Sequence, residues 1–476
     1  MGYIHFILVL TFIQVHSTIS VVTSNKRQAI EIIIGGGGIG IGGSGNTPTY
    51  PTDPTPPPAE CSPPPSPPPP PADCSPPTVP PSPPPRPLHP PPKQPAPPPP
   101  EQPFNFLDER LSVAYPVIQN FKKIITSDPL GITKTWVGTD ICNKYKGYYC
   151  DSPPDNVTAI TVASIDFNGF HLSAPTLDGF LDKLPDLALF HANSNNFSGI
   201  ISPKILKLRY LYELDLSNNK FSGAFPPALL APNNITFLDI RFNFFSGSVP
   251  SQIFSRNLDV LFINNNNFKA KLPANIGTTS ALFLSLANNK LTGQIPSSIG
   301  KALALIEILL LNNQLSGCLP YEIGYLEGLT LFDVGNNQLT GPLPCSFACL
   351  DKIEQLNLAG NFFYGPVPEV VCALGKLENL SLSGNYFTQV GPICRDLINR
   401  GVLDLKNNCV LDLPFQRSPM DCAMFFSRPR WCPFLQSYNF IPCKPSHSPH
   451  ASTRQASYSG WKAPPLTHSS LIKHRL

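Results

Sequence analysis

The sequence predicts an α/β solenoid, a right-handed superhelix of about 24-residue repeats with parallel β-strands on its concave face, preceded by a disordered polyproline II arm. Three observations lead there. Self-comparison of the 476 residues finds one pattern returning every 23 to 24 positions. Of the 59 prolines, 29 fall between Pro51 and Pro100, too dense for any packed domain. Thirteen cysteines accompany an apolar N-terminus, as in chains that mature in an oxidising compartment.

In chain order, Ile4 to Ile13 (IHFILVLTFI) has the length of a signal-peptide core, and small polar residues follow at Ser17 to Ser20. Residues 1–20 therefore read as a signal peptide, which implies secretion. The stretch is too short for the ~20-residue span of a bilayer. No other segment is long and apolar enough, so no transmembrane segment is expected. Residues 21–47 end in GGGGIGIGGSG and read as a linker; the G-x-G-x-x-G string there is followed by proline instead of a helix, which argues against phosphate binding. Residues 48–103 form the arm. Consecutive prolines fix φ and remove donors, giving a rod of ~3.1 Å per residue.

From Phe104 the composition changes. Leu107, Leu111, Ala114, Ile118, Phe121 and Ile125 fall at helical spacing, and Pro116 predicts a kink or two short helices. With Trp136, Cys142 and Cys150, residues 104–158 read as an N-terminal cap. Residues 159–408 hold the repeats, clearest in ELDLSNNKFSGAFP, LSLANNKLTGQIP, LLLNNQLSGCLP and FDVGNNQLTGPLP. Their template, L-x-x-L-x-L-x-x-N-x-L-x-G-x-I-P, is the leucine-rich repeat in its plant-type form. Its asparagines are Asn195, Asn219, Asn243, Asn266, Asn289, Asn313, Asn337, Asn361, Asn385 and Asn408; a degenerate first copy makes about eleven units. One repeat cannot bury its apolar side alone, so the leucines pack on the next coil. Each asparagine amide is placed to satisfy backbone groups buried between coils. Residues 409–443 read as a Cys-rich C-terminal cap and 444–476 as a basic disordered tail.

The stretches NSNNFSG, FLDIRFNFFSGSVP and IFSRNLDVLFINNNNF, preceded by ITSDPLGITKTW and Cys142, resemble the leucine-rich repeat extensins of plant cell walls. Relatives with a glycine cluster and proline-rich sequence ahead of the repeats are nearer still. The resemblance covers Phe104 to Cys443. It implies attachment of the arm to wall polysaccharide or wall glycoprotein, and binding of basic, cysteine-rich peptides of the rapid alkalinisation factor class. The SPPP runs of the arm are similar to extensin; closely spaced tyrosines are missing, with only Tyr50 at its edge.

Side chains flanking the strand leucines are free of core duty and are where a solenoid binds. They comprise Asp166, His191, Glu213, Asp215, Phe237, Asp239, Arg241, Phe262, Phe283, Glu307, Leu309, Leu331 and Asp333, with Asp404 and Lys406 beyond. Seven acids against two permanent bases, beside an exposed apolar strip, suit a basic peptide with hydrophobic anchors. The alternative is that the aromatics fill gaps between coils and the acids are merely solvated. Glu213 and Asp215 have no His or Ser set to complete a nucleophile and base, so no catalysis, cofactor or metal is expected. A net charge of +3 does not suggest nucleic acid.

Cys142 and Cys150 are spaced as a cap disulfide. Cys349 with Cys372, and Cys318 with Cys345, lie on neighbouring coils and could pair, while Cys394, Cys409, Cys422, Cys432 and Cys443 crowd the rear. The odd total leaves one thiol for a disulfide-linked homodimer. Glycosylation sequons stand at Asn156, Asn196, Asn234 and Asn379. The expected function is a secreted, wall-associated protein that binds an extracellular partner; the alternatives are a polygalacturonase-inhibitor-like protein and a purely structural wall glycoprotein.

Overall fold

The computed structural model describes residues 105–443, apart from 232, 233, 429, 431 and 434. The signal peptide, linker, arm and tail read from the sequence lie outside these residues, as do Cys61 and Cys74. Short strands, one per coil and mostly of three residues, stack in parallel, and with one antiparallel strand at the N-terminal edge they form a twelve-stranded sheet whose order follows the chain. The central residue of each points inward. Leu214, Leu238, Leu261, Leu284, Ile308, Phe332 and Leu356 form one buried column.

After each strand the chain turns, and a pair of asparagines does different work at its two positions. The first adopts the left-handed conformation that asparagine tolerates, with φ between 51° and 55° at Asn265, Asn288, Asn312 and Asn336. The second is buried. Asn289, for instance, donates from Nδ2 to the carbonyls of Ile263 (3.1 Å) on the preceding coil and of Leu286 (3.1 Å) on its own, and accepts the Phe268 N–H at 3.0 Å. The same pattern recurs from Asn195 to Asn408, so the asparagines form a ladder that pairs the backbone between coils.

A second sheet emerges that the template does not announce. The F-S-G stretch of each repeat extends, as in Lys220–Ala224 and Lys290–Gly293, into a nine-stranded parallel sheet. The repeat glycine there carries positive φ, +76° at Gly293; in one coil Ala270 holds φ +88° instead. The repeat proline then precedes a 3-10 turn, as Pro296 does Ser297–Lys301 and Pro320 does Tyr321–Tyr325, standing in extended backbone at the N-cap.

The N-terminal segment departs from the reading of a broken helix. Glu109–Ile124 is one helix with Pro116 inside it. Leu111, Ala114, Ile118 and Phe121 are buried at 3-4-3 spacing while Pro116 faces solvent, where water can meet the carbonyl its ring leaves unpaired. Leu107 is exposed, because it lies before the N-cap Asp108. Phe121 stacks on Phe180, and Trp136 packs between Tyr148 and Phe167 with its indole N–H on the Lys146 carbonyl. Arg110 and Arg209 both pair with Asp155 and Asp186, tying the helix to the first coils. Tyr148–Asp151, held by the Cys142–Cys150 disulfide, adds an antiparallel strand to the sheet edge and leaves no parallel edge open there.

The remaining disulfides correct the pairings read from neighbouring coils. Cys349 bonds Cys443 and Cys372 bonds Cys394; Cys318 bonds Cys432, and Cys345 is left unpaired and half-buried. Cys409 joins Cys422. Cys432 and Cys443 therefore do not cover the last coil: their segment runs back beside earlier repeats, where Tyr438 donates its hydroxyl to the Leu319 carbonyl at 3.0 Å. Sequence proximity misled because a coil's cysteine faces outward, toward whatever chain later covers it. Among the described residues, no helix is long and apolar enough to cross a membrane.

Candidate binding face

Each three-residue strand sends its first and third side chains to the outward face of the long sheet, the concave face in this fold. Parallel in-register pairing makes two columns of them. One runs Leu189, Glu213, Phe237, Val260, Phe283, Glu307, Leu331, Gln355, Asn379. The other runs Asp166, His191, Asp215, Asp239, Phe262, Ser285, Leu309, Asp333, Asn357. Arg241 lies two residues beyond Asp239, and Asp404 stands on the last strand with Lys406 just after it.

The acids divide into two groups. At the N-terminal end, His191 Nε2 lies 2.9 Å from Glu213 Oε2. Burial opposes a charge on His191, but the Glu213 hydrogen bond and the carboxylates of Glu213, Asp215 and Asp166 outweigh it and raise the imidazole above its ordinary value. Asp215 accepts the Ser217 hydroxyl at 2.6 Å. Asp239 is fully buried and meets Arg241 Nε at 2.9 Å, while that guanidinium lies 5.2 Å above the Phe262 ring. Burial, then the Asp215 charge, push Asp239 well above the carboxylate range; Arg241 and His191 pull against them. The group is compensated internally.

The C-terminal group is not. Asp333 accepts the Gly335 N–H and the Asn357 amide, but Glu307 has an Oε2 buried without a hydrogen-bond partner. Burial, reinforced by the Glu354 charge, pushes Glu307 up to about 7. Glu354 was missed as a face residue in the sequence because it precedes its strand, Gln355–Asn357. Its signal was the backbone column before the strands, continued by Thr330 and Glu378.

The apolar strip is narrower than the sequence suggested. Phe262, Leu309 and Leu331 are buried, while Phe237 and Phe283 keep partial exposure, as do Leu189 and Val260 of the same column. Strands ~4.8 Å apart stack large side chains of one column on each other, so these residues close the gaps between coils. All four sequons are exposed. Asn156 and Asn379 accept hydrogen bonds from their own Thr158 and Ser381, the amide of Asn234 bonds the Arg209 carbonyl, and Asn379 alone stands on the binding face. Among the described residues, no group of three or more His, Cys, Asp or Glu side chains is placed to hold a metal.

Stacked parallel strands and an asparagine ladder make this the leucine-rich repeat fold, and three segments, 210–231, 282–302 and 328–350, match the family model described as Leucine Rich Repeat. The chain is 54% identical over 160 residues to leucine-rich repeat extensin-like protein 1 of Arabidopsis thaliana, a stretch that is 34% of this chain and 21% of that relative. The match thus spans about a fifth of the relative's length. A plant ice-binding protein superposes with TM-score 0.50 at 22% identity, over 65% of this chain and 98% of its own. The ectodomain of the Arabidopsis receptor kinase GASSHO1/SCHENGEN3, solved in complex with CASPARIAN STRIP INTEGRITY FACTOR 2, gives 0.47 at 27% identity, over 52% and 33%.

Proposed function

We propose that this chain is a secreted, wall-associated protein without catalytic activity, whose repeats bind an extracellular partner on the face of the long sheet. The partner is a basic peptide with hydrophobic anchors, of the cysteine-rich rapid alkalinisation factor class. The observation that carries this reading is the in-register concentration of acids along two columns, Asp166, Glu213, Asp215 and Asp239 at one end and Glu307 with Asp333 toward the other, against Arg241 as a permanent base. Such a field steers a cationic partner and fixes its register. Similarity to an extensin-like protein, together with the proline-rich arm, supports association with wall polysaccharide or glycoprotein. Sugars on Asn379 would confine the partner to the coils before it.

Calorimetry of the full chain against a basic secreted peptide and against a polygalacturonase tests the reading. Binding of the peptide, weakened at high salt, is the expected outcome. Binding of the polygalacturonase alone would replace it with an inhibitor role, and loss of neither ligand on replacing Asp166 and Asp215 by Lys would refute the placement on this face.

A further inference from the structure

Two acids of the face are buried with an oxygen lacking a hydrogen-bond partner, Asp239 and Glu307; Asp239 has the Arg241 guanidinium beside it and Glu307 has no such cation. It is 9% exposed, and all three residues of its strand, Glu307–Leu309, are buried. Its register neighbours are Phe283 and Leu331, and neither flanking strand, Phe283–Ser285 or Leu331–Asp333, carries a basic residue. The nearest charge acting on it is another carboxylate, Glu354. A carboxylate so placed costs stability in either form: ionised it is desolvated and repelled, neutral it leaves hydrogen-bonding capacity unused. Yet it sits on the outward column, so an incoming group meets it after displacing side chains of the face alone.

We propose that Glu307 is the seat for one cationic side chain, a lysine or arginine, of the bound peptide, and that it holds a proton while the seat is empty, so that binding releases one proton. The proposal rests on the reading of the face as a peptide-binding surface and names one subsite of it. Half-buried Phe283 supplies an apolar wall for the methylene stem of the incoming residue, and Glu354 adds a second attractive charge. The charged and titratable groups on the packed strands are Asp333, already engaged by Gly335 and Asn357, and Glu354. His191 and Asp239 lie on earlier strands of the same face.

The sign follows from linkage. Free Glu307 is protonated below about 7, a lysine or arginine beside it requires the carboxylate, and so affinity falls as pH drops through that value, by at most about tenfold per unit for one proton. Protonation of His191 also disfavours a cation on the face, but it survives in a Glu307 variant and so can be subtracted.

The test uses the full chain and short synthetic peptides carrying one arginine or lysine flanked by leucines. Affinity is measured from about pH 5 to pH 8, in two buffers of different ionisation enthalpy, for the wild type, Glu307→Gln and Glu307→Leu. Expected are release of about one proton near pH 6 in the wild type, and in both variants loss of that release with about tenfold or more weaker binding at pH 8. Thermal unfolding is expected to show both variants folded, with Glu307→Leu at least as stable as the wild type. Infrared difference spectra between the free wild type and Glu307→Gln supply a readout that needs no peptide: a protonated-carboxyl component at pH 6 that belongs to Glu307 and is absent from the variant, whatever Asp239 contributes to both. Absence of that component from the wild type overturns the proposal whatever the peptides do. Wild-type affinity and pH slope in the variants overturn it while leaving the functional reading intact. If the band is present but no peptide binds, the reading of the face and the seat that rests on it both fail.

Discussion

Replacing Asn289 by alanine tests whether the ladder, and not the leucines alone, holds successive coils together. The side chain is buried and makes its bonds at 3.0 to 3.1 Å: it accepts the Phe268 N–H and donates to the Ile263, Leu286 and Ala287 carbonyls. Alanine leaves the Phe268 N–H without that partner in a region closed to water, while the Ile263 carbonyl keeps the Asn266 amide at 3.2 Å. At about 1–3 kcal/mol for the unsatisfied buried N–H, and roughly 1 kcal/mol more for the bonds the carbonyls lose, the loss is about 2–4 kcal/mol. Asn289→Asp is expected to be worse than conservative, since it keeps the acceptor but buries a charge among three carbonyls. Asn288→Ala is the control: it leaves the buried rung intact and removes the left-handed turn preference, φ 52°, with two outer amide bonds, to Asn265 and from Asn312, and should cost about 1–2 kcal/mol. Denaturant unfolding followed by circular dichroism and by Trp136 fluorescence measures the differences. Because a repeat array can unfold in parts, hydrogen exchange at Phe268 and at coils further away is the sharper assay. A loss below about 0.5 kcal/mol, or equal costs at Asn288 and Asn289, would refute the account of the ladder.

Ala270→Gly should stabilise by about 0.5–1 kcal/mol, because Ala270 alone takes φ +88° where other repeats have glycine; a fall in the unfolding midpoint would contradict it. Removing the Cys318–Cys432 bond, which closes 114 residues, should cost about 2–5 kcal/mol and free the segment beside Leu319 to proteolysis. A non-reducing peptide map should recover that link and Cys349–Cys443, with Cys345, among the cysteines of the described residues, labelled as a thiol after unfolding. His191 is raised above its ordinary value by Glu213, so the pair's contribution is full below about pH 6.5 and is lost as pH rises through the folded value. Glu213→Gln should therefore cost a few tenths to about 1 kcal/mol near pH 5.5 and almost nothing near pH 8.

The fold was legible wherever one residue type answers one requirement. Asn289 and its counterparts could be read as ladder rungs because no other side chain both donates and accepts in that geometry, and Leu284 or Ile308 because a repeat has only one inward position per strand. The second sheet was not legible, since F-S-G is too short to show a strand period and its pairing exists only once coils stack. Pro116 misled for a similar reason: its cost depends on whether the freed carbonyl meets water, and that is set by which face the cap buries. The column membership of Asp166 through Asp333 followed from the repeat phase. The charge states of these residues did not, because desolvation of Asp239 and Glu307 arises from neighbours a full repeat away in sequence.

The same spacing that builds the core thus sets the chemistry of the face. Strands ~4.8 Å apart force each outward side chain against its register neighbours, and a large apolar neighbour both fills the gap and strips water from any acid beside it. Where the repeat also offers a cation, as Arg241 does for Asp239 and His191 for Glu213, the acid is compensated within the chain. Where it offers Phe283, Leu331 and another acid, as around Glu307, the imbalance persists until something from outside relieves it. The two ends of one uniform sheet therefore differ in kind: at the first, Glu213 and Asp239 are balanced by cations of the chain itself, and at the second Glu307 has none.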